Sequence, residues 1–394
     1  MKDMGIFSGK KEESKLILVF DLGSSSVGGA FFKTNKKGPA EMIFSMRESI
    51  TFENEMDPGR FLFFALKTLE KVSGKASLAG FGRPDRIFCV LSSPWYASQT
   101  RVIKLKKNVP FVFTSKLADS LIQKEAVLFE KENESVLDLG GGGVSLVEFK
   151  NMKILLNGYE TDDPYGKKCK ELEMFIYLSM SQEKTLDRIR DSIFKSFHAK
   201  DIRFSTFTLA SFAAVRDIFP HQMDFILMDI CGEVTDISLV KKDALASSIS
   251  FPLGRNFFIR KIALRQNCSL NEAGSLFSAY RDGHLGGSPG KKLAPFIKKL
   301  EEEWIARFEK SLEALSENDS LPSAVFVSAD EKLSGFFGRM IRSEGYSQYS
   351  KTISKFKVIF LNPQILHKTV SWNTGMPRDS FLTVEVVYLD RFAC

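Results

Sequence analysis

The chain has 394 residues, 44% of them hydrophobic and 26% charged, with 36 phenylalanines and a formal net charge of +7. That apolar content supports several cores and argues against a disordered or repetitive chain, and the dispersed lysines, without a basic stripe interleaved with aromatics, argue against a nucleic-acid module. Five widely spaced cysteines and four histidines, none at ligand spacing from a cysteine, predict reduced thiols and no structural zinc site.

In chain order, MKDMGIFSGKKEESK is polar, lacks the apolar centre of a signal peptide and is read as a tail over residues 1–15. No run reaches the ~18 apolar residues of a spanning helix, so a cytoplasmic protein is expected, at most recruited to the inner face of the membrane. LILVFDLGSSSVGGAFF, residues 16–32, reads as a strand, a turn and a second strand, with Asp21 closing the first strand and Gly23 to Ser26 forming the turn. A strand at 41–52 follows, then a helix at 61–72 behind Asp57 and Pro58, and a short strand at 86–91.

Residues 84–202 are read as a smaller α+β unit, with strands near 86–91, 101–105, 136–149 and 171–180 and helices near 115–130 and 181–197. Within it VLDLGGGGVSLVEF, 136–149, reads as another acid-glycine hairpin whose Gly140 to Gly143 tip is not a P-loop, because no Lys–Ser/Thr follows. A helix rich in small residues from about Leu209 leads to FILMDICGEVTDISLV, 225–240, a third hairpin, with Asp229 at the end of its first strand and Gly232 in its turn.

Beyond it come a strand near 245–251, PLGRN, a helix at 257–265, and a helix capped by Ser269 with Glu272 three residues on. RDGHLGGSPG, 281–290, reads as an exposed loop, and 293–315 as a long amphipathic helix. A strand from Ala324, a turn and a helix at 336–341 complete lobe 2, read as 225–352, and residues 353–394 are expected to add strands, among them LTVEVVYL.

Asp and Gly are ordinary hairpin residues, so one such turn is a scaffold feature first. Two facing each other across a cleft can surround phosphates with backbone N–H groups and small hydroxyls, and their carboxylates can orient a hydrated Mg²⁺ or a water. Asp21 and Asp229 suit matching positions in two related halves.

With these pieces in order the chain resembles the actin-like ATPase superfamily: two lobes, 16–83 with 203–224 and then 225–352, on a duplicated βββαβα core. DLGSSSV at 21–27 looks like its phosphate-1 segment, DICGEVTD at 229–236 like phosphate-2, and VFVSAD at 325–330 like a degraded adenosine segment. The unit at 84–202 falls where FtsA-type division proteins carry an inserted subdomain, and Gly-Ser-Ser-Ser at 23–26 is also similar to PilM-type pilus proteins.

The resemblance implies ATP and Mg²⁺ as cofactors, Asp21 and Asp229 as the carboxylates for metal or water, and Gly23, Ser24, Ser25, Ser26, Gly232, Thr235, Asp236, Gly254, Ser328 and Ala329 as cofactor-binding. Departures from the pattern, a lone Gly232 beside Glu233, Ser328 and Ala329 in place of paired glycines, and Gly274 in place of a helical Glu, imply weak or lost ATP binding.

The function so implied is an FtsA-like division or envelope-assembly adaptor. Alternatives are a PilM-like clamp for a membrane-protein tail, and an active ATPase or small-molecule kinase. The implied partners are an FtsZ-like tubulin homologue, or a pilus or divisome membrane-protein tail, with self-association possible and nucleic acid not expected. The C-terminal residues read as a strand, so contact with the membrane is expected only through a partner.

Overall fold

The computed structural model describes residues 14–35, 38–137, 143–161, 163–317, 320–342, 355–373 and 375–393. Two sheets of matching topology organise them. In the first, β1 (Leu16–Leu22) pairs antiparallel with β2 (Ser26–Lys33), β2 with β3 (Ala40–Ser49), and β1 lies parallel to β4 (Arg86–Leu91). The inserted unit then supplies β5 (Ala97–Val112), β6 (Val144–Leu156), β7 (Tyr159–Glu160) and β8 (Lys168–Gln182), before β9 (Ile202–Thr206) returns beside β4. The second large sheet repeats the plan: β10 (Phe225–Ile230) takes antiparallel β11 (Thr235–Lys241), then β12 (Ala244–Phe251), and on its other side parallel β13 (Ala324–Ala329) and β14 (Lys357–Phe360). β15 (Val370–Trp372) completes the edge of the first sheet beside β3.

β1 and β10 are near-continuous apolar runs because both faces of each sheet are covered. Ile17 and Val19 belong to one core, Leu18, Phe20 and Leu22 to the opposite one. Helices α1 (Pro58–Leu78) and α3 (Glu183–Phe197) cover the outer face of the first sheet. α4 (Phe207–Ile218) and α10 (Ser380–Tyr388) lie between the two sheets, and α5 (Arg255–Gln266), α6 (Leu270–Arg281), α7 (Gly287–Ser316) and α8 (Ser334–Ile341) cover the far side of the second. Since strand side chains alternate, Asp21 shares the parity of Ile17 and Val19, and Asp229 that of Phe225 and Leu227. Both carboxylates therefore belong to the middle layer, the one the two halves share.

The inserted unit is a four-stranded sheet in the order β5, β8, β6, β7, with α2 (Ser115–Leu137) on it and a small core of Phe113, Phe129, Leu172, Met174 and Ile176. Its separate part is 97–182, narrower than 84–202. β4 is hydrogen-bonded into the first large sheet, and Leu186, Ile189 and Ile193 of α3 bury against the α1 side of that sheet.

Two further expectations change, and a third falls largely outside the described residues. Val136 and Leu137 end α2 instead of starting a strand, residues 138–142, with Gly140 to Gly142, lie outside the described residues, and Gly143 enters β6 with φ of 78°. The expected 1–15 tail is likewise outside them up to residue 13. The helix expected from 293 already begins at Gly287, shortening the loop at 281–290.

The expected C-terminal strand at LTVEVVYL is instead α10, followed after the short α9 (Pro363–Leu366) and β15. Asp379 starts it as N-cap, its side chain accepting from the Leu382 N–H at 3.0 Å. Its valines face apolar neighbours on every side, as an all-round hydrophobic helix must, so burial overrides their strand preference.

Candidate functional site

The first turn, after β1, and the second, after β10, touch. The Glu233 N–H donates to Ser24 Oγ at 3.1 Å. A methyl group on Gly232 would sit 2.7 Å from Ser25 Cβ and 2.9 Å from the Ser24 carbonyl oxygen, so only glycine permits this approach. Two more bonds cross between the lobes nearby: Ser93 Oγ donates to Asp236 Oδ1 at 3.0 Å, and Arg260 Nε donates to the Glu53 carbonyl at 2.7 Å. Trp95 steadies the first turn by donating its indole N–H to the Gly23 carbonyl at 2.9 Å.

Asp21, Gly28 and Arg47 are directly opposite one another across β1, β2 and β3. With no side chain at Gly28, the Arg47 guanidinium reaches over it and contacts Asp21 Oδ2 at 2.7 Å. The same guanidinium donates through Nε and Nη2 to the Asp379 carboxylate at 2.5 and 3.0 Å, and through Nη1 to Ser26 Oγ at 3.0 Å. Phe381 of α10 lies against it, its ring centroid 5.2 Å from Cζ. Burial works against the charge of Arg47, but Asp379 and Asp21 together hold its pKa well above the ordinary arginine value.

Burial raises the pKa of Asp21, only partly offset by Arg47. Glu385 of α10 is fully buried and is pushed well up, first by desolvation and then by the Asp21 charge. Asp21 Oδ1 and both Glu385 oxygens have no other hydrogen-bond partner among the described residues. A proton kept on Glu385 lets one of its oxygens donate to the Asp21 carboxylate, which accounts for Asp21 Oδ1 and for that oxygen.

In the second half, Asp229 is raised well above its usual range by burial and by neighbouring Asp236, while the Cys231 thiol donates to its Oδ2 at 3.2 Å. Burial also raises Asp236, whose Oδ1 accepts from Ser250 Oγ at 2.5 Å besides the Ser93 bond. Glu233, expected to oppose phosphates from the turn, is committed elsewhere: its carboxylate meets Arg260 at 2.5 and 2.8 Å and Asn256 Nδ2 at 2.6 Å.

Between the lobes is a cavity of about 240 Å³, lined from lobe 1 by Asp21, Gly23, Ser25, Ser26, Arg47 and Ser92, from lobe 2 by Ile230, Cys231, Arg255 and the Ala329–Glu331 segment, and from the C-terminal segment by Arg378 to Phe381. Of the expected cofactor-binding set, Gly23, Ser25, Ser26 and Ala329 face it. Ser24 and Gly232 are used in turn-to-turn contact. Thr235 Oγ1 donates to the Leu253 carbonyl at 2.8 Å, and Gly254 starts α5, where a Cβ would be 2.4 Å from the Cys231 carbonyl oxygen. Ser328 is buried beside Asp229 in the β10–β13 register, and Gly274 lies in α6, away from the cavity lining.

Sequence reasoning missed Gly28, Arg47, Asp379 and Glu385. The available signals were a charge inside the apolar run EMIFSMRESITF and a single carboxylate inside LTVEVVYL. No cluster of three or more His, Cys, Asp or Glu side chains arranged for a metal ion occurs among the described residues, and none of the described helices is long and apolar enough to cross a membrane.

No protein-family model matches this chain, and no curated protein matches it. Among solved structures, a PilM–PilN type IV pilus biogenesis complex is similar to it with a TM-score of 0.60 at 14% identity, over 95% of this chain and 96% of that one. A Bacteroides thetaiotaomicron protein of unknown function with an actin-like ATPase fold gives 0.42 at 9% identity over 89% and 91% of the two chains. The ethanolamine utilization protein EutJ from Carboxydothermus hydrogenoformans gives 0.41 at 10% identity over 95% and 88%. At such identities the likeness is one of fold. The chain has a mixed α/β architecture with two large sheets of matching topology, and its fold is similar to that in the PilM–PilN complex.

Proposed function

We propose that this chain is a PilM-like adaptor working at the inner face of a membrane, where it holds a short segment of a membrane-protein partner during pilus or related envelope assembly. The observation that carries this reading is the end-to-end likeness to the PilM–PilN complex, which spans 95% of the chain and so takes in the inserted unit as well as both lobes. A second feature agrees with it. Exposed large apolar side chains are frequent on the inserted unit, among them Val109 at 73%, Phe149 at 48%, Leu128 at 47% and Leu146 at 43% exposed, as expected of a unit that is covered in an assembly. The FtsA-type division reading draws no comparable support.

The test is a binding titration of the full chain against synthetic peptides covering the cytosolic segments of single-span membrane proteins encoded beside it. Micromolar binding to one of them, lost when Phe149 is changed to Ser, supports the adaptor reading. Binding to a tubulin-like filament protein, with every peptide inert, overturns it in favour of division.

A further inference from the structure

The resemblance of the sequence to the actin-like ATPases brings with it the question of a magnesium nucleotide, and the residues between the lobes do not fit one as they stand. The carboxylate best placed to serve such a metal, Asp21, is already neutralised by this chain's own Arg47 at 2.7 Å. The guanidinium is held in a built cradle. A Cβ on Gly28 would come within 2.8 Å of Nη2 and 3.1 Å of Cζ, so the space it fills exists only because position 28 is glycine. Three more of its N–H groups are taken up by Asp379 and Ser26.

Phosphates would meet two further obstacles. The turns that should cradle them are hydrogen-bonded to one another through Ser24 and Glu233, with Gly232 against Ser25. The cavity left beside them is about 240 Å³, below the roughly 300–1,000 Å³ of ordinary small-molecule sites. Outside the Asp21–Arg47–Asp379 group, the charges on its wall are balanced, Asp330 and Glu331 against Arg255 and Arg378.

We propose that Arg47 is the resident cation of this cleft. It occupies the place a divalent ion would take, and it ties the first turn to the start of α10, so that the closed arrangement of the lobes requires neither metal nor nucleotide. The protein is then a constitutive scaffold and not one gated by ATP. An arginine suits this task because its planar fork binds two carboxylates at fixed geometry and never loses its charge. The inference rests on the cleft alone and is independent of the identity of the partner, so its failure and that of the adaptor reading are separately visible.

The experiment combines thermal unfolding of the full chain with Mn²⁺ titration followed by electron paramagnetic resonance, with Mn²⁺ alone, with Mg²⁺–ATP, and without either. For the wild-type protein the expected result is no change in Tm and no loss of the free Mn²⁺ signal. Arg47→Ala should lower Tm and acquire metal dependence, Mn²⁺ restoring part of the loss because Asp21 and Asp379 now lack a cation, and Asp379→Asn in that background should remove the rescue.

A wild-type Tm that rises with Mn²⁺ or Mg²⁺–ATP, and no longer does so in Asp21→Asn, would mean that the ion displaces Arg47, and it overturns the proposal. So does an Arg47→Ala protein that is as stable as wild type, or one that is destabilised and indifferent to Mn²⁺. Should Arg47→Ala fail to fold, Arg47→Lys keeps a cation at the site: it is expected to fold and ignore Mn²⁺, and Mn²⁺-dependent stability in that variant counts against the proposal.

Discussion

Ser24 and Glu233, 209 positions apart, meet between the lobes, the Glu233 N–H donating to Ser24 Oγ at 3.1 Å. The bond places the first turn on the second, and Gly232 sets how near they come. Gly232→Ala should therefore cost about 1–3 kcal/mol, the usual range for overpacking, because its Cβ would meet Ser25 Cβ at 2.7 Å. Gly254→Ala should cost more, since the clash is with backbone: 2.4 Å to the Cys231 carbonyl oxygen and 2.5 Å to that of Gly232. Denaturant unfolding of both variants measures this. Wild-type stability for Gly254→Ala would mean that α5 does not abut the second turn as described.

The alignment of Asp21, Gly28 and Arg47 makes a second, sharper prediction. Removing one partner of a buried ion pair costs about 3–5 kcal/mol, and Arg47→Ala should fall in that range, because it leaves Asp21 and Asp379 without their shared cation. Gly28→Ala should act through the same contact by forcing the guanidinium off Asp21. The two changes should then be far from additive, with a coupling of about 1–3 kcal/mol in a double-mutant cycle. Additive losses would place the Gly28 effect elsewhere, for example against Leu382, whose Cδ2 would be 3.2 Å from the new methyl.

These residues also mark where sequence reading reached and where it stopped. β1 and β10 were legible because each is a continuous apolar run ended by an aspartate and a glycine-bearing turn. The meeting of their turns followed from the match between the two halves. The Arg47 link was not legible, because it depends on the register of β3 against β2, which shifts by one residue between Phe31 and Phe32. Without that bulge Arg47 would not stand opposite Gly28. α10 was misread for a different reason: Val384, Val386 and Val387 favour strands locally, and what makes them helical is the Asp379 cap together with burial between the two sheets.

On the adaptor reading, the apolar surface of the inserted unit gives a prediction that separates binding from folding. Leu146 and Phe149 are 43% and 48% exposed, so Leu146→Ser with Phe149→Ser should change stability by only about 0.5 kcal/mol. Partner binding should fall at least tenfold, about 1.4 kcal/mol. Paired measurements of Tm and peptide affinity check it, and a variant that binds like wild type would move the partner site off this surface.

Glu148 supplies a pH dependence with a definite sign. This β6 carboxylate pins the inserted unit to lobe 1: its Oε1 accepts from the Thr206 N–H at 2.8 Å and Thr206 Oγ1 at 2.6 Å, and its Oε2 from Ser205 Oγ at 2.7 Å and the Tyr388 hydroxyl at 3.3 Å. Burial nevertheless dominates and raises its pKa above that of an ordinary glutamate, the hydrogen bonds offsetting only part of the shift. The folded state then holds this proton to higher pH than the unfolded chain does. The associated stability is fully present below the unfolded-state pKa and is lost as pH rises through the folded-state value. Glu148→Gln keeps the shape of the group but cannot titrate. Its stability relative to wild type should therefore be flat at acid pH and should climb as pH passes upward through that interval. Urea midpoints of the two proteins across the interval provide the measurement, and a difference that falls with rising pH would show that the four donors, not burial, govern this carboxylate.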